Sequence, residues 1–151
     1  MRSVIVGPAG SKDIPALVEL LELLFSQEKD FQPDRKKQHR ALALILEDPG
    51  AGHIFVARWE ERIVGMVSLL VLISTAEGGR VLLLEDLIVH PDFRKQGLGT
   101  LLLRHVITFA RREKFSRITL LTDPHNASAR GLYRRHGFEP SSMVPLRLHL
   151  S

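Results

Sequence analysis

The stretch Val81–Glu113, VLLLEDLIVHPDFRKQGLGTLLLRHVITFARRE, constrains the chain more than any other. An apolar run of strand length, Val81 to Val89, is broken only by Glu85 and Asp86 and stops at the turn signal His90-Pro91-Asp92. A basic loop follows, Arg94-Lys95-Gln96-Gly97-Leu98-Gly99. A helical pattern then sets Leu102, Val106, Phe109 and Ala110 on one stripe. A strand that feeds a helix N-terminus through glycines suits an anion, because free N–H groups point outward there and the helix dipole favours negative charge. Gly97 and Gly99 let a bulky anion reach the backbone, and Arg94 and Lys95 add positive charge. The alternative is that the glycines only serve a tight turn. Two familiar phosphate loops do not fit. The G-x-x-x-x-G-K-[ST] pattern is absent, and Leu102 stands where a dinucleotide fingerprint needs its third glycine.

With 151 residues, 44% hydrophobic and 25% charged, the chain reads as one globular domain over residues 1–151. No window approaches the apolar length of a membrane span, and the N-terminus MRSVIVGPAGSKD lacks the marks of a signal peptide. Cysteine is absent, which excludes disulfides, thiol nucleophiles and cysteine metal sites and is compatible with a cytoplasmic setting. The net charge of +4 is modest, and the basic clusters Arg35-Lys36-Lys37 and Arg111-Arg112 carry no interleaved aromatics, so no nucleic-acid partner is expected. His90, His125 and His149 show no ligand spacing, so no metal is expected.

Ser3–Val6 reads as a short strand, followed by a helix to about Gln27 with Leu17, Leu20, Leu21, Leu24 and Phe25 on its apolar face. Lys29–Pro33 is a loop, and Asp34–Glu47 a second helix whose basic start opposes the helix dipole. His53–Trp59 and Arg62–Ile73 form a hairpin, and the 81–89 run continues the meander. Arg117–Leu121 follows one helix later, so it should lie parallel to the 81–89 strand. Ala127–His136 is a short helix closed by Gly137, and Val144–Leu150 alternates like a final strand. The fold class is α/β: a mixed sheet, an antiparallel meander plus one parallel strand pair, with helices on both faces.

Charged residues within an apolar strand need a reason. In a regular strand Glu85 and Asp86 point to opposite faces. Glu85 is either a base in a cleft or half of a structural ion pair with Arg58 or Arg80. Tyr133, the only tyrosine, lies on the short helix after the strand expected beside 81–89. Ligands of α/β sheets bind where such parallel strands end. Its phenol either packs in the core or donates a proton.

The run D-F-R-K-Q-G-L-G-T-L-L-L resembles the R/Q-x-x-G-x-G/A signature of the GCN5-related N-acetyltransferases (the GNAT family). N-x-x-A-x-x-L-Y-x-x-x-G-F, carried here by Asn126, Ala129, Leu132, Tyr133, Gly137 and Phe138, resembles the motif that follows it. The resemblance implies an acyl-CoA N-acyltransferase fold in which the parallel strand pair splays open around acetyl-CoA. The backbone of Leu87, Ile88 and Val89 would pair with the pantetheine arm. Amides of Arg94, Lys95, Gln96, Gly97, Leu98, Gly99 and Thr100 would hold the pyrophosphate. Asn126 would contact the cofactor near the thioester, and Tyr133 would approach the sulfur as acid. Glu85 matches the position used as base by members with an E-D pair, such as the glucosamine-phosphate acetyltransferases, whose downstream Asn-to-Tyr spacing is shorter. The activity implied is transfer of acetyl to a primary amine of a small molecule or a protein; a non-catalytic acyl-CoA sensor is the alternative. A homodimer is compatible with the resemblance. Glu28, Phe31 and His53 are the residues that could line an acceptor site.

Overall fold

The computed structural model describes residues 3–26 and 34–151. They fall into two compact units, Met1–Leu121 and Thr122–Ser151, each described by itself.

The first unit opens with strand β1 (Val4–Pro8) and a 3-10 turn at Ser11–Asp13. Helix α1 (Ile14–Phe25) begins with a proline in its first turn, where a missing N–H costs nothing. Helix α2 (Arg35–Glu47) is capped by Asp34, whose side chain accepts from the amides of Lys36 and Lys37. That carboxylate offsets the basic start, and Arg35 is ion-paired with Glu22 of α1. The cationic run thus has a structural account.

Strands β2 (Gly52–Trp59), β3 (Arg62–Ser74) and β4 (Gly79–Val89) form the expected meander, and β5 (Ile118–Leu120) pairs parallel to β4. The sheet order is β1-β2-β3-β4-β5, with β1 antiparallel to β2. Helix α3 (Leu98–Arg112) connects β4 to β5. Each face has its own layer. Ile54, Val56, Met66 and Ile88 pack with Ile14, Leu17, Leu21 and Leu42 of α1 and α2. On the opposite face Phe55 meets His105 and Phe109 of α3, with ring centroids 4.6 and 5.1 Å apart. Gly65 admits α3 closely, since a Cβ there would stand 3.1 Å from Leu102 Cδ1.

In the second unit, helix α4 (Ala127–Arg135) is capped by Asn126, and Gly137 turns the chain at φ +92°. The expected strand Val144–Leu150 is absent: no helix or strand follows Phe138. Val144, Leu146, Leu148 and Leu150 are exposed, Leu146 at 94%. The alternation is real, but a strand exists only where a neighbour accepts its backbone hydrogen bonds.

Candidate active site

The candidate site residues of the first unit lie on β4 and in the segment that follows it. Its pairing with β3 slips by one residue: Ser68 faces Asp86, whereas Leu69 faces Leu84. Glu85 is the extra residue of a β-bulge. The bulge cancels the regular alternation, so Leu84 and Asp86, two residues apart, lie on opposite faces. This corrects the expectation that Glu85 and Asp86 simply alternate. Pairing with β5 covers only Leu82, Leu83 and Leu84. From Glu85 to Val89 the β5-side edge of β4 therefore has no strand partner among the described residues. The β4–β5 ladder thus ends at Leu84, the residue before the bulge.

Glu85 is exposed and has no ion pair among the described residues. The two arginines that could have held it are engaged elsewhere. Arg58 pairs with Asp13 at 2.7 Å, and Arg80 donates to the Glu113 carbonyl at 2.8 Å and lies over the Phe115 ring. Ser68 Oγ donates to Asp86 Oδ2 at 2.9 Å.

After Val89, a 3-10 turn at Pro91–Phe93 leads into the basic loop. Phe93 anchors it, 1% exposed, against Trp59 and His90 with Arg62 over its ring. No motif in the sequence singles out Phe93, although it is the one large apolar side chain in a polar loop. Arg94 Nε donates to the Val89 carbonyl at 3.2 Å, tying the loop to the strand end. Lys95 (φ 62°) and Gly97 (φ 80°) both adopt the left-handed conformation. Gly97 is the N-cap of α3 and offers no side-chain acceptor, and no acidic residue sits in the first turn. The opening amides of α3 are thus the unsatisfied donors that a helix N-terminus presents. A Cβ on Gly97 would meet nothing within 4 Å, so open space lies on that side. A free strand edge leading to an unfilled, cation-flanked helix start fits an extended arm ending in a pyrophosphate, which is the shape of coenzyme A.

In the second unit, Asn126 Oδ1 accepts from the Ala129 amide at 3.0 Å. One of its oxygen's two acceptor sites serves the cap, and its NH₂ is a donor that a ligand could use. Tyr133 is half-buried, its ring edge-on to Phe138 at 5.8 Å. Burial raises the phenol above its ordinary 10.0, so it stays protonated at neutral pH.

His53 lies among rings, 4.8 Å from Phe109, where burial lowers its pKa; it is part of the layer under α3. Glu28 and Phe31 lie outside the described residues. Among the described residues no cluster of three or more ligating side chains could hold a metal. No helix among them is long and apolar enough to cross a membrane.

A five-stranded mixed sheet, with a parallel pair only three residues long and a glycine loop leading from it into a helix, defines the chain as an α/β protein with a helices-on-sheet architecture. The sequence profile of the acetyltransferase (GNAT) family matches residues 14–138, and the chain belongs to that family. It is 30% identical over 109 residues to the uncharacterized N-acetyltransferase YhfO of Bacillus subtilis, covering 72% of this chain and 66% of that protein. It is 36% identical over 85 residues to human N-acetyltransferase 8, covering 56% of this chain and 37% of that protein. The matches thus span less than two thirds of either relative. Among solved structures, an integron cassette protein from the Cole Harbour Salt Marsh metagenome is 28% identical with a TM-score of 0.84, over 97% of this chain and 90% of the other.

Proposed function

We propose that the chain is an N-acetyltransferase that moves the acetyl group of acetyl-CoA onto a primary amine, of a small molecule or of a protein, by direct attack. The observation that carries this reading is the edge of β4 freed at Glu85 and running into the open N-terminus of α3. In this reading Leu87, Ile88 and Val89 hold the pantetheine through their backbone, and Arg94 to Thr100 hold the pyrophosphate. Acetyl-CoA supplies the acetyl group as a thioester.

A primary amine with a pKa of ~10 is protonated at neutral pH and cannot attack. Glu85, exposed and without an ion pair among the described residues, takes that proton directly or through one water. A backbone amide of Leu87–Val89 steadies the oxygen that gains charge as the amine adds. Tyr133, kept protonated by burial, gives its proton to the departing thiolate. Asn126 positions the acetyl end through its NH₂. We take residues 1–151 as one catalytic domain, a reading supported by the family match running unbroken across the boundary at Leu121. We also propose a homodimer, supported by the exposed alternating side chains of Val144–Leu150.

The test is release of free thiol from acetyl-CoA across a panel of small amines and peptide N-termini. Release with at least one amine supports the enzyme. Tight acetyl-CoA binding with no release on a broad panel overturns it in favour of a non-catalytic acyl-CoA sensor.

A further inference from the structure

Ser68 is an anomaly within β3. The strand reads Ile63-Val64-Gly65-Met66-Val67-Ser68-Leu69-Leu70-Val71, and Ser68 is its only hydroxyl before Ser74. It is 1% exposed, and with Asp13 it is one of two buried polar side chains among the described residues. Burying a hydroxyl costs free energy unless it is hydrogen-bonded, and a valine would suit a strand better. Ser68 spends its proton on Asp86 Oδ2, across the strand pair. Ser68 is also paired with Ile54, and Ile54, Met66 and Ile88 all face the α1–α2 layer. By alternation Ser68 and Asp86 face that layer too.

The bond closes the residue pair directly beside the bulge. Two carboxylates stand side by side there, and a bulge moved by one residue would exchange their places: Asp86 would become the extra residue and Glu85 would face Ser68. A strand flanked by leucines on both sides of the pair has no apolar pattern that resists such a slip. We propose that Ser68 and Asp86 are positioning residues for the base: their hydrogen bond fixes the bulge so that Glu85 is the carboxylate extruded at the open strand edge. The proposal rests on the reading of Glu85 as the base.

The test compares kcat, acceptor KM and acetyl-CoA affinity in five single variants and one double variant. Glu85→Gln checks the base itself. Ser68→Ala removes the donor while fitting the buried space, and is expected to lower kcat about ten- to a hundredfold with acetyl-CoA affinity and melting temperature near wild type. Ser68→Thr restores a hydroxyl and most of kcat. Asp86→Asn, which still accepts through its amide oxygen, stays near wild type, whereas Asp86→Ala falls like Ser68→Ala. The double variant of Ser68→Ala with Asp86→Ala is expected to be no worse than either alone. If Glu85→Gln is inactive but Ser68→Ala keeps full kcat, positioning is wrong and the base assignment stands. An Asp86→Asn as poor as Asp86→Ala also overturns it, since charge and not the hydrogen bond would then matter. If Glu85→Gln keeps full kcat, the base assignment fails and this proposal fails with it.

Discussion

Arg58 donates to both carboxylate oxygens of Asp13, at 3.2 and 2.7 Å, and so joins the start of α1 to the β2 strand beside its own register shift. Asp13 Oδ2 also accepts from the Gly10 amide at 2.8 Å. The Arg58 hydrogen bond, opposed by burial and helped by that amide, holds the carboxyl below its ordinary 3.8. Asp13 is buried and Arg58 half-buried, so removing the arginine leaves a desolvated carboxylate short of its donor. Arg58→Met is expected to cost about 1–3 kcal/mol of stability, read by denaturant unfolding. Because the folded carboxyl titrates lower than the unfolded one, the pair's contribution is complete above pH 3.8 and is lost as pH falls below it. An Arg58→Met chain as stable as wild type at neutral pH would show that the pair contributes nothing.

Two histidines set a second pH dependence. Burial lowers the pKa of His53 and His105 from 6.5; Glu113 opposes the shift at His53 and Arg80 adds to it, and Arg112 adds to it at His105. The unfolded chain therefore binds protons that the folded chain refuses, and stability is full above pH 6.5 and falls as pH drops through that value. Melting temperatures measured between about pH 7 and 5 should decline in the wild type and decline less in His105→Leu. Parallel curves would exclude His105 as a source.

Tyr133 can be followed without interference, since the chain has no other tyrosine. The midpoint of its phenolate absorbance should lie above 10.0 in the folded protein and shift down on unfolding. Tyr133→Phe should reduce kcat by ~10²-fold or more while leaving acetyl-CoA affinity near wild type. An unchanged kcat would remove Tyr133 from the acid role.

Gly97 holds a left-handed φ of 80°, so any side chain there is strained even though the space around it is open. Gly97→Ala should cost about 1–2 kcal/mol of stability. Gly97→Val, if folded by circular dichroism, should lose about tenfold or more in acetyl-CoA affinity, some 1.4 kcal/mol. Retained affinity in folded Gly97→Val would place the pyrophosphate elsewhere.

The exposed C-terminal side chains make the assembly testable. Sedimentation velocity should find a dimer in the wild type and a monomer for Leu146→Asp combined with Leu148→Asp. A monomeric wild type at all concentrations would refute the homodimer.

Much of this architecture is written locally in the chain. The leucines of α1 repeat with a helical period, and the glycines after His90 mark the loop and helix start. The bulge at Glu85 is invisible in the same way that it is important. A strand buried on both faces has no alternation to interrupt, so Leu82–Val89 looks alike with or without an extra residue. The fate of Val144–Leu150 is unreadable for a different reason: its alternation is local, but the strand partner it needs is not. Asp34 shows the reverse case, where one residue outside the basic run explains why that run can begin a helix.

The extra residue in β4 also bears on how this chain tolerates length change. Deleting Glu85 would bring Leu84 and Asp86 into continuous register with β3, and the longer unbroken ladder should gain backbone hydrogen bonds. Such a deletion should therefore fold well, resist heat at least as well as its parent and have lost its chemistry. The residue that interrupts the ladder is thus one the fold itself does not need.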